Sequence, residues 1–203
     1  MPGDSPTIQL QHHFLIAMPG LEDPVFGKSL VYVCDHGSHG ALGLIVNKPA
    51  DVDLKTLLDK LDMPLQREDL MQSPVYMGGP VHTERGFVLH TAMPAASMTA
   101  DDADHGPTYG ATMRVTPDVE MTTSRDVLES LAEGKGPAQV LVCLGYSAWG
   151  AGQLESELAE NAWLTVQADP RILFDVAPAA RYDAALKLLG LEPWMLSSQS
   201  GRA

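Results

Sequence analysis

Short apolar runs closed by glycine, proline, aspartate or asparagine recur along this chain, with helical stretches falling between them at no fixed period. Residues 14–18, 29–34, 41–46, 75–77, 86–90 and 139–144 are rich in Val, Ile, Leu, Tyr or Phe, and the segment opened by Trp163 is a seventh. Runs of that length and composition read as strands. The polar stretch 35–40 between two of them predicts a hairpin over 29–46 with a long loop. No βαβ repeat, heptad or internal duplication is present. A doubly wound sheet is therefore disfavoured, and the expected class is α+β, a single compact domain with an irregular, mostly antiparallel sheet and flanking helices.

Four helices are expected. Leu54, Leu57, Leu58 and Leu61 make one i, i+3, i+4, i+7 stripe, with Asp53 as N-cap and Pro64 beyond the end. A second follows Ser124, turns Val127, Leu128 and Leu131 inward and stops near Gly134. A third opens at 150–152 with Leu154 and Leu158 inward, and a fourth covers 181–189. Residues 93–110, with Asp101, Asp102 and Asp104, read as an exposed loop. The domain is expected over 8–192, with tails at 1–7 and 193–203.

Charge narrows the function classes. The 203 residues carry 13 Lys and Arg against 26 Asp and Glu, a net charge of −13. Residues 98–160 hold three basic side chains (Arg114, Arg125, Lys135) and eleven acidic ones. The helices that a DNA-binding reading would need are thus acidic, so direct nucleic-acid binding is disfavoured, as is docking to an anionic membrane. The N-terminus has no basic region or long apolar core, which predicts a cytoplasmic protein without a membrane segment. Cys34 and Cys143 lie in separate apolar runs and outside any CxxC pair, so buried free thiols are expected.

Several patterns bear on chemistry. Cys34, His36 and His39 are metal-ligand types in one turn, but no second ligand pair accompanies them, and neither metal nor cofactor is expected. Ser147 sits in G-x-S-x-W between a strand and a helix, yet Trp149 is too large for a nucleophile elbow and no histidine follows it. Gly145, Gly150 and Gly152 precede a helix N-terminus that could hold an anion, or they simply allow close packing. Gly78-Gly79-Pro80 suits a sharp turn or a close backbone approach, and Arg85 suits an ion pair or a ligand anion. Asn47-Lys48-Pro49 reads as the end of a strand.

Three blocks, FLIAMPGLEDPVFGKSLVYVCDHGSHGALGLIVNKP, VYMGGPVHTERGFVLH and TTSRDVLESLAEGKGPAQVLVCLGYSAWGAGQLESELAENAWL, closely resemble the YqgE/AlgH family of bacterial proteins. The resemblance spans residues 11–191 and includes Asn47, Lys48, Gly78, Gly79, Arg85, Gly145, Trp149 and Gln153. It implies an α+β domain with a bifurcated sheet. Members are often described as transcriptional regulators, but the resemblance carries over no reaction, ligand or catalytic residue.

Two functions follow from different classes. One is a non-enzymatic interaction or regulatory module that affects transcription only through a protein or small-molecule partner, using aromatic anchors near Tyr146, Trp149 and Trp163. The other is a small anionic-ligand-binding protein, or an enzyme, with its site at the Gly79/Arg85 turn and the turn over 145–153. Asn47, Lys48, Gly79, Arg85, Tyr146, Trp149 and Gln153 are the candidate binding residues.

Overall fold

The apolar runs pair into one sheet that forks. The computed structural model describes residues 9–93 and 109–196, so most of the expected loop over 93–110 lies outside the described residues. Its strands are β1 (His13–Ala17), β2 (Leu30–Gly37), β3 (Gly40–Ile45), β4 (Pro49–Asp53), β5 (Pro74–Met77), β6 (Val81–Thr91), β7 (Thr112–Arg114), β8 (Val119–Thr122), β9 (Val140–Trp149) and β10 (Trp163–Gln167). The order is β10-β1-β2-β3-β9-β6-β8-β7, with β5 joined to β9 and β4 to β5. Every pairing is antiparallel except β5 with β9. The helices are α1 (Leu54–Asp59), α2 (Asp126–Ala132), α3 (Gln153–Ala159), α4 (Pro170–Phe174) and α5 (Pro178–Leu188). This is the expected α+β class.

Strand β9 carries the fork. Its first half, up to Leu144, is flanked by β5 and β6, while Ser147, Ala148 and Trp149 pair with β3. The change of partner happens at Gly145, whose φ of +71° lies in the left-handed region. A Cβ on Gly145 would sit 2.5 Å from the Gly79 carbonyl oxygen, and one on Gly79 would sit 2.2 Å from the Tyr146 carbonyl carbon. Two backbones therefore cross where no side chain fits. Gly78 fastens the crossing: its N–H donates to Leu144 and its carbonyl accepts from Ile45 N and the Ser147 hydroxyl.

Both faces of the sheet are covered, which explains why the strands read as continuous apolar runs rather than alternating ones. In β1, Phe14 and Ile16 join a core with Leu30, Tyr32, Leu44 and the α4–α5 residues Ile172, Leu173 and Leu186. Leu15 and Ala17 face the opposite way, into a core with Val31, Ile45, Trp149, Leu154 of α3 and Trp163. A further core lies beyond the fork, where Leu54, Leu58, Val127 and Leu131 of α1 and α2 cover Val75, Val88 and Val142.

Local signals account for the helix ends. The Asp53 carboxylate accepts from Thr56 N at 2.7 Å as the N-cap of α1. Gly134, with φ of +79°, closes α2. Four features differ from expectation. The long hairpin loop is a two-residue turn, because β2 runs on to pair Gly37 with Gly40 after a register shift between Val33 and Asp35. The segment over 145–153 is mostly strand, since the glycine that reads as a terminator is the kink of β9. Helix α5 starts at Pro178, which is tolerated where the first-turn N–H groups have no partner. Strands β4, β7 and β8 and helix α4 lack an apolar run long enough to signal them.

Candidate functional site

The fold distributes the seven candidate residues over three places. Asn47 and Lys48 follow β3 and fix the preceding loop. The Asn47 side-chain oxygen accepts from Leu30 N at 2.8 Å, and its amide donates to the Lys28 carbonyl at 2.9 Å. The Lys48 ammonium donates to the Gly27 carbonyl at 2.8 Å and to that of Val25. Burial moves its pKa below the ordinary lysine value. Asn47 also lines a cavity of about 510 Å³ with Pro19, Lys28, Tyr182, Asp183 and Leu196.

Gly79, Arg85 and Tyr146 do come together. Strand β6 loses register between Val81 and Gly86, and this slip pushes His82, Thr83, Glu84 and Arg85 out of the ladder into solvent. The His82 ring lies stacked on Tyr146 at 6.1 Å, Tyr146 packs on Phe87 at 5.1 Å, and the Arg85 guanidinium lies 5.8 Å from the Phe87 ring centre. The result is a platform of exposed His82 and Arg85 beside half-buried Tyr146, with the Glu84 carboxylate 3.2 Å from His82 Nδ1, set beside the Gly79–Tyr146 crossing.

Trp149 and Gln153 belong to a third arrangement, centred on Glu157 of α3. The Trp149 and Trp163 indole N–H groups both donate to Glu157 Oε2, at 2.9 and 2.8 Å. The Gln153 amide donates to Oε1 at 3.0 Å, while its oxygen accepts from Gly150 N. Both indoles are buried, lie edge-to-face at 6.1 Å and pack against Phe26. Trp149 and Trp163 are therefore core residues and not surface anchors, contrary to the sequence expectation. Glu157 was missed there because α3 reads as a helix with an acidic solvent face. The signal was its i, i+4 relation to Gln153, with a tryptophan on either side of the helix.

The other reactive groups are engaged elsewhere. Burial raises both thiols, Cys143 to about 12 and Cys34 well above its ordinary value, which leaves them inert as nucleophiles. His36 Nε2 donates to Glu155 at 2.9 Å, and His39 Nε2 meets Asp35 at 2.8 Å. The three side chains of the Cys34–His39 pattern thus diverge. Among the described residues, no group of three or more His, Cys, Asp or Glu is placed to hold a metal. The Ser147 hydroxyl is buried and donates to the Gly78 carbonyl at 3.2 Å. Arg181 of α5, buried beside a second cavity, was also overlooked; its one signal is a cation on the i, i+4 stripe shared with Ala185. Among the described residues no helix is long and apolar enough to cross a membrane.

Known proteins share this fold and sequence throughout. The AlgH-like family model matches residues 14–194. A UPF0301 protein of Verminephrobacter eiseniae is 60% identical over 199 residues, covering 98% of each chain, and one from a Polaromonas species is 56% identical over the full length of both. The solution structure of the AlgH protein from Pseudomonas aeruginosa is similar with a TM-score of 0.73 and 43% identity, covering 100% of each chain. A crystal structure of a Corynebacterium diphtheriae protein, at 17% identity and a TM-score of 0.65, covers 92% of this chain and 89% of its own and shares the fold. The chain belongs to the AlgH-like, UPF0301 family.

Proposed function

We propose that this protein is a non-enzymatic interaction module that meets a protein or small-molecule partner at the platform of His82, Arg85 and Tyr146, and that any effect on transcription passes through that partner. The observation that carries the proposal is the slip in β6. It exposes an arginine and a histidine beside a tyrosine, backed by the buried ring of Phe87. Arg and Tyr anchors dominate binding energy at interfaces, and an aromatic surface held by a rigid strand loses little conformational freedom on binding. The burial of Ser147, His36, Cys34 and Cys143 also favours binding over catalysis. A net charge of −13 favours a partner other than nucleic acid.

A photo-cross-linking amino acid placed at Thr83 in living bacteria tests this, with one at Lys187 of α5 as control. An adduct formed at 83, absent at 187 and lost in the Arg85→Ala, Tyr146→Ala double variant, is the expected result. No adduct at 83, or one unaffected by the double variant, would overturn it.

A further inference from the structure

Helix α5 buries an arginine that no acid among the described residues pairs with. Arg181 is 4% exposed. Its Nε donates to the Val176 carbonyl at 2.9 Å, one Nη1 proton goes to the Val46 carbonyl, and the guanidinium lies 5.0 Å from the centre of the buried Tyr76 ring. A guanidinium has five N–H donors. Two are used in hydrogen bonds to these carbonyls, the fork also lies close enough to the Tyr76 hydroxyl to interact with it, and among the described residues no carboxylate forms an ion pair with the guanidinium. Arginine keeps its charge when buried, so an unneutralised one is a standing electrostatic deficit.

The surroundings deepen that deficit. Arg181 lies in the first turn of α5, at the positive end of the helix dipole, where a cation is disfavoured and an anion favoured. The N-cap is Ala177, whose side chain accepts nothing, and Pro178 follows it. Arg181 also lines a cavity of about 360 Å³ together with Ser73, Tyr76, Asp175 and Pro178. That volume is within the range of small-ligand sites. The Asp175 carboxylate is the one acid in the lining, and it accepts from the Gln139 amide at 2.6 Å.

We infer that this cavity is a binding site for a small molecule bearing one oxyanion group, carboxylate or phosphate, held by Arg181 with Tyr76 and Ser73 beside it. The spare N–H donors suit the two oxygens of such a group. Asp175 limits the ligand to a single anionic end, since a second would meet its charge. This site shares no residue with the platform on β6 and does not depend on it.

The test is amide and arginine side-chain NMR of the full chain, titrated separately with sodium phosphate and sodium acetate at constant ionic strength set by sodium chloride. Saturable shifts confined to residues 176–182, Tyr76 and the Arg181 Nε–H are expected, and the salt that saturates at lower concentration identifies the headgroup. Arg181→Lys, which keeps the charge but loses the planar fork, should weaken binding about tenfold. Asp175→Asn leaves Arg181 in place and removes the opposing charge, so it should tighten binding about threefold. It also keeps the test decisive if the Arg181 variant fails to fold. A response to both anions that stays linear and matches chloride would overturn the inference. So would an affinity unchanged in either variant.

Discussion

Glu157 and Arg181 are both charged side chains drawn into the fold, and their environments are opposite. Glu157 receives three donors, two from buried indoles and one from Gln153, so its oxygens are committed to closing the core beneath α3. Arg181 gives two donors to backbone carbonyls, rests on an aromatic face and opens on a cavity. A half-buried carboxylate with three of its roughly four acceptor sites filled by its own chain is a structural part. An arginine with spare donors and, among the described residues, no paired carboxylate has capacity left for a group outside them. Satisfaction of hydrogen-bonding capacity, more than burial or charge, separates the two.

Removing the hydrogen-bonded carboxylate should have the larger effect. Glu157→Ala strands two indole N–H groups in a core, and each orphaned donor costs about 1–3 kcal/mol. A loss of about 3–5 kcal/mol in urea unfolding is expected, with Glu157→Gln losing less because it keeps an acceptor in place. A loss under about 1 kcal/mol in the alanine variant would mean water replaces the carboxylate, and the contrast with Arg181 would collapse.

Arg181→Met should lose only about 1–2 kcal/mol, since relief from burying a charge offsets the two carbonyls left without donors. The expected signature is conditional: phosphate or acetate stabilises the wild type and leaves this variant unmoved. If Arg181→Met loses as much as Glu157→Ala in plain chloride, the guanidinium is as structural as the carboxylate.

The sequence exposes these two residues unequally to inference. Strands such as β1 and β3 are legible because burial on both faces forces continuous apolar runs, and α1 is legible from its leucine stripe and Asp53 cap. Gly79 and Gly145 stand out as glycines, yet only the fold shows that they meet each other rather than a ligand. Tyr146 and Arg85 converge through a register slip, and nothing local in 81–86 encodes where the ladder resumes. Arg181 and Glu157 read as ordinary helix-surface charges, because long-range packing decides which helical charges turn inward. The inward-turned charges are therefore the least visible in the sequence.

His90 shows a third way to bury an ionisable group, which is to surrender the charge. Its ring is fully buried, with Nδ1–H donating to the Thr91 carbonyl and Nε2 accepting from the Thr122 hydroxyl, both at 2.9 Å. The Thr112 and Thr122 hydroxyls lie 2.7 Å apart and continue the chain. Each contact suits the neutral imidazole, and desolvation lowers the pKa below its ordinary 6.5 despite the opposing effects of the Thr91 carbonyl and Glu120. Protonation would give Nε2 a hydrogen directed at the Thr122 hydroxyl, forcing that donor to reverse. The folded pKa lies below the unfolded one, so stability is complete above pH 6.5 and falls as pH drops from there towards the folded value, with a slope of at most about 1.4 kcal/mol per pH unit. Urea unfolding between pH 7.5 and 5 should show this loss in the wild type. In His90→Gln only the same-signed share from His12, also lowered by burial, should remain. An unchanged slope in that variant would mean that His90 carries its charge into the core. Neutralisation would then no longer be one of the fold's answers to burial, and Glu157 and Arg181 would have to be judged against a chain that tolerates unpaired charge generally.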